Sequence, residues 1–246
     1  MRREDKMLNI VMPMAGAGTR FKIEGYDDPK PLIKIDGLPM GVMAALSIKP
    51  KREHRFIFLF LQEHIEDCGI DRIFKKYFPK SVVIPVAKVT QGAACTVLKA
   101  VDFIDNENPL MIANSDQYIG CDINEYLEIL DNTFSQVLVM TTSSDKPSHS
   151  YIRYDGEKPV GMVEKEVVSD EATIGIYNCK HGNSWVRSAR DMMSRGEWYK
   201  NEFYVAPAFN EIIRTGGMVT ARYENIHFLG TPEEVKAYEE LRQNGS

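Results

Sequence analysis

The sequence predicts an α/β fold: a mostly parallel central sheet covered on both faces by helices and continued by antiparallel strands. Short apolar runs of strand length alternate with helix-spaced segments from Leu8 to Ala113, the pattern of βαβ units. Between Gln136 and Cys179 strand-like runs instead follow one another across turn residues, among them Asp155-Gly156, the pattern of hairpins. No Pro/Ser/Gly-rich linker divides the 246 residues, so a single domain over 7–246 is expected. Residues 1–6 are charged and read as a short disordered tail.

Each element has a local reason. Residues 8–12 form an apolar run too short and too unbroken for a helix, which suits a strand buried on both faces. Residues 32–35 read as a short extended piece, and 39–48 as a helix with Pro39 near its first turn. Residues 55–61 make the second buried strand. Ile65, Ile70, Ile73 and Phe74 give 63–77 helical spacing. Residues 82–86 are the third strand, Gln91-Gly92-Ala93-Ala94 opens a helix running to about Phe103, and 109–113 is the fourth strand. The antiparallel part is expected at 136–141, 150–154, 160–164 and 172–179. Residues 185–195 and 205–214 read as helices, 218–223 as a strand, and 232–241 as a last helix capped by Thr231.

Composition excludes several classes of function. Hydrophobic residues make up 43% and charged residues 26%, the balance of an ordinary globular protein. A net charge of −5 argues against a nucleic-acid partner, whose binding rests on clustered Lys and Arg. No apolar run reaches the roughly 18 residues of a spanning helix, and the amino end lacks the apolar core of a signal peptide, so a cytoplasmic protein with no membrane partner is expected. Cys68, Cys95, Cys121 and Cys179 have no Cys-x-x-Cys spacing and read as reduced packing residues. His54, His64, His149, His181 and His227 lack a ligand pattern. Oligomeric state is left open.

The chemistry concentrates in 8–31. Gly16 and Gly18 follow the first strand; lacking a Cβ, they let backbone N–H groups approach an anion closely. Arg20 adds a guanidinium fork, and Lys30 stands between Pro29 and Pro31, which fix φ and stiffen its surroundings. Together these describe a polyphosphate site. A dinucleotide fingerprint would need a third glycine in register and an acidic residue about 20 positions on, and a P-loop would need Lys-Ser/Thr directly after its last glycine. Here Gly18 is followed by Thr19-Arg20. Asp116 follows the fourth strand, so it should face the same crevice as the glycine loop, where a carboxylate suits Mg²⁺ held largely by substrate phosphates.

These residues resemble the signature of the sugar-phosphate nucleotidylyltransferases, the nucleotide-sugar pyrophosphorylases. The resemblance runs in order through Gly-Ala-Gly-Thr-Arg at 16–20, Pro29-Lys30, Gly92, Asp116, Glu164-Lys165, Gly175-Ile176-Tyr177 and Gly230-Thr231-Pro232-Glu233-Glu234. It implies a Rossmann-like α/β/α sandwich of the GT-A kind. It also implies transfer of a nucleoside monophosphate from a nucleoside triphosphate to a phosphorylated small molecule, releasing pyrophosphate, in nucleotide-sugar synthesis for surface polysaccharides. Carried over, Ala15 and Gly16 would meet the nucleoside, and Gly18, Thr19 and Arg20 the triphosphate. Lys30 would lie by the α-phosphate, Gly92 by the base and Asp116 on Mg²⁺. Glu164, Thr173 and Gly175 would line the acceptor's place, and Lys165 would bind its phosphate.

Three positions depart from the pattern. Phe228 stands where many relatives carry a second metal-binding Asp, Ala87 where a base-reading Gln is frequent, and Thr173 where sugar-specific relatives often have Asn. A sugar 1-phosphate is the leading acceptor. A non-sugar phosphate such as choline phosphate is the alternative, with Trp185, Trp198, Tyr199 and Tyr204 as candidates for an aromatic cage. A GT-A glycosyltransferase and a non-catalytic nucleotide sensor are the readings from other classes. Pyrophosphate release separates them from a nucleotidyltransferase.

Overall fold

The fold is described by a computed structural model for residues 6–244. Residues 1–5, most of the expected amino-terminal tail, lie outside it, while Lys6 is seated with its Nζ donating to the Glu107 carbonyl at 3.0 Å.

In chain order the elements are β1 (Leu8–Met14), α1 (Thr19–Ile23), β2 (Lys34–Ile35), β3 (Leu38–Pro39), α2 (Met40–Ser47), β4 (His54–Leu61), α3 (Gln62–Cys68), α4 (Ile70–Tyr77), β5 (Val82–Val86), α5 (Ala93–Val97), α6 (Val101–Ile104), β6 (Leu110–Ala113), β7 (Gln117–Ile119) and α7 (Ile123–Asp131). The second half adds β8 (Val137–Ser143), β9 (Ser150–Asp155), β10 (Lys158–Glu164), β11 (Glu171–Cys179), α8 (Gly182–Ser194), α9 (Asn210–Gly216), β12 (Met218–Arg222), β13 (Ile226–Phe228) and α10 (Pro232–Asn244).

The main sheet runs β10-β9-β11-β6-β1-β4-β5, with β8 pairing β11 and β12 beside this path. β4, β5 and β6 are joined in parallel around β1, whereas β11 meets β6, β8 and β9 antiparallel and β9–β10 is a hairpin. The expected parallel sheet with an antiparallel extension is therefore the observed one. Strand alternation makes two cores. Val11, Ile57, Leu59 and Ile112 face α5, α6, α8 and α9 through Val97, Ile104, Trp185 and Ile212. Ile10, Met12, Phe56, Phe58 and Phe60 face α2, α4 and α7 through Val42, Phe74 and Leu127. A third cluster, with Phe21, Ile35, Met40, Leu229 and Tyr238, fastens α1 to α10. Asn9 is the polar residue buried in β1, and its side chain is used on both sides: Nδ2 donates to the Phe103 carbonyl at 3.2 Å and Oδ1 accepts from Arg55 Nη2 at 2.8 Å.

Several expected elements differ. The helix over 63–77 is two helices, because Gly69 takes a left-handed φ of +60° and both ends α3 and begins α4. The helix opening at Gly92 is also interrupted, tightening to a 3-10 turn at Leu98–Ala100 between α5 and α6. The segment over 205–214 opens with a 3-10 turn, Pro207–Phe209, before α9. Residues 32–35 complete a 3-10 turn, Lys30–Leu32, and then form the small β2–β3 hairpin. α7, β7 and β13 come in addition to the expected elements. Thr231 caps α10 as expected: its Oγ1 accepts from Glu234 N at 3.3 Å, and Glu234 Oε2 accepts from Gly230 N at 2.9 Å.

β11 breaks register between Thr173 and Tyr177, and Gly175 sits in that bulge at φ +81°. A Cβ there would come within 2.3 Å of the Asn114 amide, on the loop that carries Asp116. Gly175→Ala is expected to lower unfolding free energy by about 1–3 kcal/mol, the usual cost of a left-handed non-glycine residue, measured by urea denaturation.

Candidate active site

β1 and β6 lie side by side in parallel, so their carboxyl ends deliver Gly16–Gly18 and Asn114–Asp116 to one edge of the sheet. Gly18 takes φ +63° just before α1, and a Cβ there would stand 3.4 Å from Lys30 Cβ. The glycine thus lets the lysine stem pass close beneath the loop. Pro29, with φ fixed at −52° by its ring and ψ at 138°, leads Lys30 into its 3-10 turn.

Lys30 Nζ donates to Asp116 Oδ2 at 2.7 Å and to the Gly230 carbonyl at 3.2 Å, and lies 5.3 Å from the centroid of the Phe21 ring. Three distant segments meet at this cation. A methyl group placed on Gly230 would stand 3.2 Å from Glu234 Oε2 and 3.4 Å from Asp116 Oδ2, so the glycine lets both carboxylates come close to the backbone here. Leu229 N donates to the Asp116 carbonyl at 2.8 Å and holds the segment in place.

Two concavities adjoin here. A smaller one of about 220 Å³ is lined by Gly16, Gly18, Lys30 and Ser115; a larger one of about 520 Å³ is lined by Arg20, Glu164, Lys165, Thr173, Gly175 and Tyr204. Asn114 and Asp116 belong to both, so Asp116 stands at their junction. The structure thus brings together Gly16, Gly18, Lys30 and Asp116 on one side and Glu164, Lys165, Thr173 and Gly175 on the other. Arg20 lines the larger cavity rather than the one with the glycines. Ala15 is buried and Thr19 exposed. Gly92 packs its Cα on the backbone of Phe203, whose N and O would each stand 2.5 Å from a Cβ.

At the far end, Glu164 closes β10 opposite Ser150, and the Ser150 hydroxyl donates to its carboxylate. Burial pushes the Glu164 carboxyl above the usual range, against the lowering effects of Ser150 and Lys165. Lys165 takes φ +54°, its N donates to the His149 carbonyl at 2.9 Å, and its Nζ donates to the Tyr204 hydroxyl. Thr173 and Tyr177 share a hydroxyl hydrogen bond of 2.9 Å in the floor. His149 stacks on Phe228 with centroids 4.5 Å apart, and burial lowers its pKa, so it is neutral near pH 7. Ser150 and His149 join the expected residues here, together with Asn114, Tyr177, Tyr204 and Glu234. Tyr204 lies 39 positions from Lys165, and nothing local in the sequence pairs them. Trp185 is wholly buried beside Phe209 in the core, which removes it from any cage in the cleft.

Among the described residues no three His, Cys, Asp or Glu side chains gather as a metal cage. Asp116 therefore offers a single carboxylate with one oxygen already on Lys30. Such a donor set suits a hard ion that takes its other ligands from phosphate oxygens and water, as Mg²⁺ does. No helix of the described residues is long and apolar enough to cross a membrane.

The fold is shared with solved structures along nearly the whole chain. The nucleoside-diphosphate-sugar pyrophosphorylase of Vibrio cholerae RC9 superposes with a TM-score of 0.78 at 21% identity, over 94% of this chain and 99% of that one. The UTP-bound UGPase of Acinetobacter baumannii gives 0.74 at 13% identity, over 98% and 94%, and the inositol-1-phosphate CTP transferase of T. maritima 0.72 at 14%, over 97% and 95%. No protein-family model matches the chain, and no curated protein sequence does. The fold is thus that of the nucleotide-sugar pyrophosphorylases and related NTP transferases.

Glu164→Gln tests the electrostatics of the cleft. A carboxyl whose folded pKa is raised costs nothing below its unfolded pKa near 4.5 and becomes destabilising as pH rises through the folded value. The variant is therefore expected to match the parent's thermal midpoint below about pH 4.5 and to exceed it near neutrality, read from melting curves across pH.

Proposed function

We propose that the chain is a nucleotidyltransferase that moves the nucleoside monophosphate of a nucleoside triphosphate onto the phosphate of a small acceptor, releasing pyrophosphate. A sugar 1-phosphate is the leading acceptor, which makes the product a nucleotide sugar. The observation that carries the reading is Lys30 and Asp116, paired at the junction of a glycine-lined cavity and a larger one with its own lysine. The neighbours point the same way: one is named a nucleoside-diphosphate-sugar pyrophosphorylase, another a UTP-bound UGPase.

On this reading the glycine loop and Lys30 hold the triphosphate, while Glu164, Lys165 and Thr173 hold the acceptor. Asp116 holds Mg²⁺, which when bound offsets charge on the phosphates. The acceptor phosphate needs no general base, since its second pKa is about 6. Its oxygen attacks the α-phosphorus in line, and Lys30, Arg20 and Lys165 offset the charge spread over acceptor, transferred group and leaving pyrophosphate.

Pyrophosphate release, followed with a matrix of triphosphates and phosphomonoesters, is the direct test. Release in the presence of Mg²⁺ is expected, with Lys30→Ala and Asp116→Ala each lowering kcat/KM by about 10² or more at unchanged far-ultraviolet dichroism. Variants as active as the parent would make both residues bystanders.

Lys165→Ala is expected to raise the acceptor's KM by about tenfold or more and to leave the triphosphate's within about twofold. The reverse split, measured by initial rates with each substrate varied in turn, would exchange the assignments of the two cavities.

A further inference from the structure

The acceptor end of the cleft is built around an ammonium group. Lys165 Nζ, hydrogen-bonded to the Tyr204 hydroxyl, lies 4.3 Å from the centroid of that ring and 5.6 Å from that of Tyr199. The two rings meet edge to face, 6.3 Å apart at 69°. Glu164 lines the same cavity, and Glu202 stands beside Tyr204; burial first and then Glu202 raise that hydroxyl well above the phenol range.

Local backbone strain gathers here as well. Among the described residues four non-glycines have positive φ, and three of them, Lys165 (+54°), Lys200 (+48°) and Asn201 (+63°), belong to this corner. Tyr199 and Glu202 exchange both backbone hydrogen bonds at 3.0 Å around Lys200-Asn201, a two-residue turn that requires positive φ at both central positions. Non-glycine residues persist in this region where the surroundings hold them, and functional sites are where that strain collects. The turn sets Tyr199 and Glu202 side by side facing Tyr204.

Ring faces, carboxylates and a phenol oxygen are groups that attract a cation. In this structure Lys165 Nζ stands in for a primary ammonium among them. Yet the proposed reaction needs Lys165 at the acceptor phosphate, and its four-carbon stem lets Nζ leave the rings. Lys200, whose Nζ lies 5.4 Å from the Tyr199 centroid, is exposed on the turn and can stay hydrated when it moves away.

We infer that the acceptor is a phosphomonoester carrying a protonated amine. Its ammonium takes the place of Lys165 Nζ between Tyr199, Tyr204, Glu164 and Glu202, while Lys165 turns to the acceptor phosphate. The inference rests on the nucleotidyl-transfer reading and narrows its substrate class. An amino sugar phosphate and an amino alcohol phosphate share the recognised chemistry.

The test compares acceptors that differ only in an amine or a hydroxyl: glucosamine 1-phosphate against glucose 1-phosphate, and phosphoethanolamine against ethylene glycol phosphate. Pyrophosphate release is measured for the full chain with Mg²⁺ and each common triphosphate. The amine member of at least one pair is expected to be preferred by about tenfold or more in kcat/KM, and the pair that shows it tells sugar from amino alcohol. In the Tyr199→Leu, Glu202→Gln double variant that ratio should fall to within about threefold of unity, and Tyr199→Phe, which keeps the ring, should retain it. Hydroxyl members used as well as or better than amine members overturn the inference and leave nucleotidyl transfer standing. Release from no acceptor with any triphosphate overturns both.

Discussion

The Lys30–Asp116 ion pair is the contact around which the rest of the cleft is arranged. It joins residues 86 positions apart, and the Gly230 carbonyl brings a third segment to the same nitrogen from 200 positions away. Its side chains are 22% and 30% exposed, a setting in which such a pair adds little net stability. Its importance is positional: the pair keeps a cation and a carboxylate together at the junction of the two cavities. Under the proposed reaction each has a better partner, phosphate for the lysine and Mg²⁺ for the aspartate, so substrate binding exchanges an internal pair for two external ones.

The sheet explains why the junction falls where it does. The parallel strands around β1 end in loops that offer backbone N–H groups and Asp116, whereas the antiparallel strands bring side chains from both directions into the larger cavity. β11 belongs to both systems, pairing β8 along one edge and β6 and then β9 along the other. The bulge at Gly175 lets it do so while leaving room for Asn114.

The legible part of this molecule was the part whose signals are local. Buried apolar runs, a glycine loop and Lys30 between prolines announced β1, β4, β6 and the phosphate-like side of the cleft. Features that depend on pairing across the chain were not legible. β7 and β13 are three residues each and find one another across more than a hundred positions, too short to carry a periodic signal. The break at Gly69 falls inside apolar spacing that continues across it, so the pattern reads as one helix. Trp185 shows the same limit at the site: an aromatic residue near others in sequence was a cage candidate, and only its helix's docking on the sheet places it in the core. The proposed roles of the site residues rest on geometry and resemblance together.

Phe228 stands where the resemblance would place a second carboxylate. Its ring stacks on His149, a neutral partner at physiological pH, so neither side chain brings charge to the mouth of the cleft. A carboxylate in its place would share the cavity with Glu234 and Asp116 and add a like charge to theirs. Without it, Lys30 alone neutralises Asp116 while no nucleotide is bound, and Glu234 is occupied by the Gly230 and Thr231 N–H groups. A cation entering with the triphosphate would be held chiefly by the phosphates it accompanies, which is how a site with one protein carboxylate handles a hard ion that keeps most of its water.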